Sequence, residues 1–418
     1  MITLGIFDPD VQPAALETYM KYANQMTGVT GVQEFNKLRG VKDSEWVSFQ
    51  KAAASDMKVA DVQRILQEAG FFPFGKIDGI CGYRTASAIR LFQEYVRTVE
   101  GDASIGYPDG VLGATSAQHL QRWKAGNKKA DWTRFSSASP SPDYTKWMNW
   151  LGQIKQKYST SPTQMLQLVN QQTKLGATLK VASWDFSPNK IHLVGIRRNE
   201  AKPDLKPGER RFDDGFALLI NGLVFKFYGS TDPGATESPK GAPFLVHGQH
   251  HYRFGWHKLN DKKLGRERAY HALKPAGAGV LVVRSKDLVL NDADLAGGVE
   301  INDSINIHWG GEGVDRQGRP LVGSWSEGCQ VIVGKGYINH QNKFIDCSEN
   351  NAHFYDGLGI KNSKGVYQTR GAYTVMSDLV AALSGDDNIV HYTLAYEQDL
   401  SAELGLGEAL EILKKLGA

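Results

Sequence analysis

Cysteine is scarce in this chain, with three among 418 residues: Cys81, Cys329 and Cys347. So sparse and odd-numbered a set argues against a disulfide-stapled framework and turns attention to which thiol acts as a nucleophile. Long apolar runs are also lacking, and no stretch is apolar enough to span a membrane. Charge of one sign is never massed: the formal net charge is +3 and no Lys/Arg block occurs, which leaves nucleic acid no electrostatic footprint. In the opening residues no basic segment occurs, and Asp8, Pro9 and Asp10 interrupt any apolar core, so no classical secretory signal is visible. What is present is an ordinary globular composition, 41% hydrophobic and 22% charged, in a chain long enough for two or three domains. The 45 glycines suit a turn-rich protein with much β-structure.

Periodicity and composition divide the chain into stretches. Residues 1–57 read as a helical N-terminal extension, with apolar residues at three-to-four spacing in Ala14–Met20 and Trp46–Gln50. Residues 58–124 contain an internal duplication. An amphipathic helix over Val59–Leu66 leads to the loop Asp78-Gly79-Ile80-Cys81-Gly82-Tyr83-Arg84-Thr85 and a helix ending Ile89-Arg90-Leu91-Phe92-Gln93; the loop returns, one residue shorter, as Asp109-Gly110-Val111-Leu112-Gly113-Ala114-Thr115 ahead of a helix with Leu120 and Trp123. In each loop the Asp-Gly pair makes a tight turn, the next Gly permits positive φ, and Thr85 or Thr115 stands where an N-cap hydroxyl would open the next helix.

Residues 125–145, rich in Ser, Lys and Pro, read as a linker, and 146–175 as a helical lead-in carrying Trp147–Leu151 and Met165–Val169. From 176 to 400 the pattern shifts to short strands. Leu218-Leu219-Ile220 and Leu223–Tyr228 flank Asn221-Gly222, a hairpin signal. Further strands are expected at Gly279–Arg284, Ile305–His308, Gln330–Val333 and Ile389–Leu394, and residues 401–418 close the chain with a short amphipathic helix.

The first loop and its helix, D-G-x-x-G-x-x-T followed by A-x-x-x-F-Q, resemble the three-helix peptidoglycan-binding domain carried by many wall hydrolases and lysins. The resemblance covers residues 58–124 and implies wall binding through Asp78, Gly79, Thr85, Asp109, Gly110 and Thr115. The bland alternative is a helical domain without ligand. Cys81 lies inside the first loop as a small filler.

The segment with chemistry runs Ser304-Ile305-Asn306-Ile307-His308-Trp309-Gly310-Gly311 and on to Gly323-Ser324-Trp325-Ser326-Glu327-Gly328-Cys329-Gln330. A His ends one strand, a glycine-rich loop follows, and a Ser-x-Gly-Cys turn opens the next strand. A thiol nucleophile needs a base within reach, because the thiolate is the attacking species, and two adjacent strand ends supply that proximity. Gly328 allows a sharp turn and exposes the N–H groups of Gly328 and Cys329 as candidate oxyanion donors; Ser326 is placed to steady the imidazole or to bind substrate.

This order resembles the L,D-transpeptidase (YkuD-type) family, whose signature is a His, a gap, then Ser/Thr-His-Gly-Cys. By position, the resemblance implies Cys329 as nucleophile, His308 as base, Ser326 as a supporting hydroxyl and Gly328 as the turn residue, with His257, Trp309, Gly310, Trp325 and Gln330 lining the substrate site. Two departures stand out. Glu327 replaces the usual His, and Gln330-Val331 replaces the small residue and Arg or Asn that follow the Cys, removing a partner for a substrate carboxylate or carbonyl. Arg197-Arg198 and Arg210-Arg211 are candidates to replace it, against the reading of a solvated basic face. Cys347 has no Gly turn or neighbouring His and reads as structural.

The expectation is therefore an α+β multidomain protein: a small all-α peptidoglycan-binding domain followed by a mainly β L,D-transpeptidase-like domain. The implied reaction is attack at an L-to-D junction of the stem peptide, ending in transpeptidation, D-amino-acid exchange or L,D-carboxypeptidase action, with no metal or organic cofactor. Stem peptides and glycan are the expected partners, with no membrane span. Without a classical signal, the protein is expected to be made in the cytoplasm and to reach the wall by a non-classical route, as a phage-associated or secreted antibacterial, lytic protein served by a phage or contractile injection machine. Two alternatives remain at this level: a non-catalytic wall-binding component of such a particle, and a zinc-dependent hydrolase using His247, His250, His251 and His257.

Overall fold

The structure, a computed structural model, describes residues 2–11, 57–198, 205–206, 209–236, 238–258, 270–354, 361–385 and 388–415. The helices expected at Ala14–Met20 and Trp46–Gln50 lie outside the described residues. Among the described residues five α-helices come first: α1 (Val59–Glu68), α2 (Tyr83–Thr98), α3 (Ala114–Ala125), α4 (Pro142–Thr160) and α5 (Gln164–Gln171). Helix α1 buries Val59, Val62, Ile65 and Leu66 along one stripe. Its first amides, Val59 and Ala60, donate to the Asp8 carboxylate at 2.6 and 2.9 Å, so a residue far off in sequence supplies the anionic cap. Within the stretch expected as a linker, a short turn at Asp131–Arg134 buries Trp132, whose indole N–H donates to the Gly70 carbonyl.

The strands follow: β1 (Ile191–Arg197), β2 (Asp214–Ile220), β3 (Leu223–Ser230), β4 (Ala242–Leu245), β5 (Gly248–His257), β6 (Tyr270–Pro275), β7 (Val280–Ser285), β8 (Glu300–Asn302), β9 (Ile307–Trp309), β10 (Gln330–Ile332), β11 (Gly336–Ile338), β12 (Phe344–Asp346) and β13 (Val390–Tyr396). Helix α6 (Asp292–Leu295) precedes β8, α7 (Ala372–Leu383) precedes β13, and α8 (Leu406–Lys414) follows it. The β2–β3 hairpin turns at Asn221 (φ 50°) and Gly222 (φ 78°), the pair of left-handed residues that a two-residue turn of matching twist demands.

Eight strands close into a ring in the order β3-β2-β1-β13-β5-β6-β9-β10, and β10 pairs back onto β3. The barrel is mixed, because β1 runs parallel to β13 and β9 parallel to β10. The β11–β12 hairpin extends from β3, and β4, β7 and β8 form a separate three-stranded sheet. The ring is filled rather than hollow near the thiol strand: the buried Tyr392 hydroxyl donates across it to Gln330 Oε1 at 3.0 Å.

The expected division into a small all-α domain and a following β domain is overturned. The helices between 59 and 171 precede an eight-stranded mixed barrel, and they share its hydrophobic core. Helix α2 lies along α7, fixed by Arg90 on Asp378 (2.7 and 2.8 Å), by Tyr83 on Ser377 and by Arg84 on the Ala381 carbonyl. Glu94 of the same helix accepts from Tyr337 on β11 at 2.6 Å. A helix pattern read locally cannot show that its apolar face is completed by a helix nearly 300 residues later.

Candidate functional site

Parallel pairing of β9 with β10 sets Gln330 beside Ile307 and Val331 beside His308. Since Gln330 points into the barrel, the alternation of a strand sends Cys329, Asn306 and His308 to the opposite, outer face. The expected thiol and imidazole are thus brought to one face of two neighbouring strands. No hydrogen bond joins them directly. The Cys329 thiol donates to the Ser304 carbonyl (3.3 Å) and accepts from the Asn306 amide (3.4 Å). His308 Nδ1 lies 2.8 Å from the Trp309 carbonyl oxygen, with the Tyr270 hydroxyl at 3.5 Å. A carbonyl can only accept, so in the neutral ring Nδ1 carries the proton and Nε2 holds the basic lone pair.

Both groups are neutral at pH 7. Burial pushes the thiol up to about 11, opposed by the Asn306 amide and the charges of Lys258 and Lys274. Burial also pulls His308 down to about 4. His257 stacks on His308 with ring centroids 4.5 Å apart and planes inclined by 17°, and burial, with the neighbouring His308, holds it well below its ordinary value. Its Nε2 has no hydrogen-bond partner among the described residues.

Ser326 is 1% exposed and braces the turn: its hydroxyl donates to the Cys329 carbonyl (2.7 Å) and accepts from the Gly328 amide (3.1 Å). The Gly328 N–H is therefore consumed and does not serve as the expected oxyanion donor, while the Cys329 N–H has no partner among the described residues. Gly328 has φ 151°, and a Cβ there would meet Pro243 Cγ at 2.6 Å. Of the expected substrate-lining residues, Trp309, Gly310, Trp325 and Gln330 are buried, and Gln330 is spent on Tyr392 and on the Gly328 carbonyl. His257 alone of that group stands over the imidazole. Cys347 is buried, like Cys81.

Two residues that sequence reasoning passed over complete the site. Leu273 of β6 pairs with Ile307, so one step along the antiparallel ladder Lys274 stands beside Asn306, and Asn306 stands beside Cys329. Asn306 is 7% exposed, and its Oδ1 has no hydrogen-bond partner among the described residues. The arginines proposed to hold carboxylates lie elsewhere: Arg197, Arg198 and Arg210 line a cavity of about 690 Å³ whose walls do not include Cys329. Arg197 is ion-paired to Asp232 and Arg198 to Glu397.

The histidines of the zinc alternative are scattered. His247 bonds Thr163, His250 bonds Thr178 and the Val246 carbonyl, His251 packs on His391, and His257 on His308. Among the described residues no three His, Cys, Asp or Glu side chains gather to hold a metal.

In the duplicated loops, Gln63 Nε2 donates to Asp78 Oδ1, the Ile80 carbonyl and Thr85 Oγ1, while its Oε1 accepts from the Asp78 and Gly79 amides. Gln93 repeats the pattern with Asp109, the Val111 carbonyl, Ser116 and the Gly110 amide. The equivalent of Thr85 is thus Ser116 rather than Thr115, at the same offset of seven from its Asp (85−78 and 116−109), so the second loop is not shorter. Neither hydroxyl is an N-cap, because Gly82 and Gly113 occupy those positions; the glutamines compete successfully for them. The N-terminal segment covers both loops, bridging Ile2 to Leu112 and Phe7 to Ile80.

No family model matches the sequence, and no curated protein and no solved structure matches it. Among the described residues no helix is long and apolar enough to cross a membrane.

Proposed function

We propose that this protein is a cysteine acyl-transfer enzyme acting on the stem peptides of peptidoglycan, with Cys329 as nucleophile and His308 as general base. One observation carries the reading: parallel neighbouring strands present the thiol and the imidazole on one face, with Nδ1–H held by the Trp309 carbonyl and Nε2 left as the base. With both groups neutral at rest, the proton leaves Sγ for Nε2 as the attack proceeds, rather than from a pre-formed ion pair. Sγ bonds to the carbonyl carbon at an L-to-D junction, the C–N bond breaks, and the imidazolium returns the proton to the departing amine of the D-residue. The resulting thioester is resolved by an amine, giving cross-link or exchange, or by water, giving carboxypeptidase action. The Cys329 N–H is the backbone donor available to the developing oxyanion. The choice of polymer rests on the duplicated Asp-Gly loops and the Ser-x-Gly-Cys order, and a lytic or antibacterial role delivered by a phage or injection particle fits that choice.

The absence of a direct Cys329–His308 hydrogen bond favours a second reading, a wall-binding particle component without catalysis. The two separate on defined tetrapeptide and pentapeptide muropeptides analysed by mass spectrometry. Loss or exchange of the terminal D-residue by the wild type, abolished in Cys329→Ala, is the expected result. Unchanged muropeptides beside retained binding to sacculi would leave only the second reading.

A further inference from the structure

The outer face at the thiol is organised in rows set by strand register. One row runs Arg253, Lys274, Asn306, Cys329 across β5, β6, β9 and β10: Arg253 pairs with Lys274, Leu273 with Ile307, and Ile307 with Gln330. The next row is floored by small residues, since Gly255 pairs with Ala272 and Ala272 stands one step from the Leu273–Ile307 pair, beside His308. The stem of Lys274 itself lies over Gly255, where a Cβ would meet its Cδ at 2.7 Å, and His257 reaches over Ala272 to stack on His308.

Two features of the first row await a ligand. Lys274 makes no ion pair and no side-chain hydrogen bond among the described residues, and its charge adds to that of Lys258 in acting on the Cys329 thiol and His257. Asn306, its neighbour, is 7% exposed and its Oδ1 is unpartnered among the described residues, and a buried amide oxygen without a donor costs free energy until one arrives.

We infer that the thiol takes an acyl donor bearing a carboxylate close to the scissile bond, with Lys274 holding the carboxylate and the Asn306 side chain accepting a backbone N–H of the same peptide. The inference rests on the acyl-transfer reading of Cys329. It gives Lys274 the part for which Arg197, Arg198, Arg210 and Arg211 were candidates against the reading of a solvated basic face, and it makes Lys274 and Asn306 specificity residues rather than members of the reacting pair.

The test needs no turnover. Cys329 in the folded full-length protein is alkylated with iodoacetate, which carries a carboxylate, and with neutral iodoacetamide, and the rates are read peptide by peptide by mass spectrometry so that Cys81 and Cys347 do not interfere. The iodoacetate-to-iodoacetamide ratio should exceed that of a free cysteine amide, fall about five-fold in Lys274→Gln, fall further in Lys274→Glu and recover in Lys274→Arg, as expected for a single charge at close range in partly screened surroundings. A ratio indifferent to all three substitutions overturns the carboxylate site and leaves the muropeptide result to decide the acyl-transfer reading. A charge-dependent ratio beside inert muropeptides would sustain the anion site and reject the chemistry. Failure of both reagents to label Cys329 counts against both.

Discussion

At the scale of single residues, the thiol is aimed by Gly328. Its φ of 151° and its closeness to Pro243 leave no room for a Cβ, and Ser326 ties the same turn from both sides. Gly328→Ala should destabilise the protein by about 1–3 kcal/mol and slow iodoacetamide labelling of Cys329, read from urea unfolding and from labelling rates. A variant unchanged in both would show that the turn tolerates a side chain and does not aim the thiol. The glycine, the cysteine and the histidine were legible in the sequence, because a Gly turn ahead of a strand and a His at a strand end are local patterns. Ser326 was legible as a polar residue but not as a brace. Lys274 and Asn306 were not legible as site residues, since only strand register sets residue 274 in one row with 329, with Asn306 between them, and no spacing in the chain encodes it.

Between elements, the decisive contact is α2 on α7. Asp378 is buried and receives both Nε and a terminal nitrogen of Arg90, a forked charge-assisted pair. Asp378→Asn leaves the guanidinium uncompensated and should cost about 3–5 kcal/mol in urea unfolding, whereas replacing both partners by leucine should restore much of that loss. Equal losses in the single and double variants would show that the pair is not what joins the helices. The sequence revealed the helices and the Asn221-Gly222 hairpin, each set by a period or turn within about ten residues. It did not reveal that the helical stretch shares a core with the barrel, because an amphipathic stripe announces that it is covered without saying by what. The duplicated loops show the same limit. Their Asp-Gly turns were visible, but Gln63 and Gln93, which hold them, stand a helix earlier and carry no turn signature.

For the whole molecule, buried histidines set the response to acid. Burial keeps His247 and His250 down to about 3 and His308 to about 4, while in the unfolded chain such rings protonate near about 6.5. Below that value the unfolded state binds the more protons, so each ring removes stability at about 1.4 kcal/mol per pH unit as pH falls toward the folded values, and none of it above. Urea midpoints at pH 7.5, 6.5 and 5.0 should fall slightly between the first two and steeply to the third; a level series would mean the rings protonate inside the fold. The ring of strands is uneven as well. The β2–β3 ladder joins residues from Asp214–Gly229 to Ile220–Leu223, whereas among the described residues β6 pairs with β9 at Leu273 and Ile307, and β10 with β3 at Val331 and Ile332, continued by the Val333 amide on the Tyr228 carbonyl. The two strands bearing the imidazole and the thiol are thus a panel hung between short ladders, and local opening of the barrel should begin on either side of the candidate site.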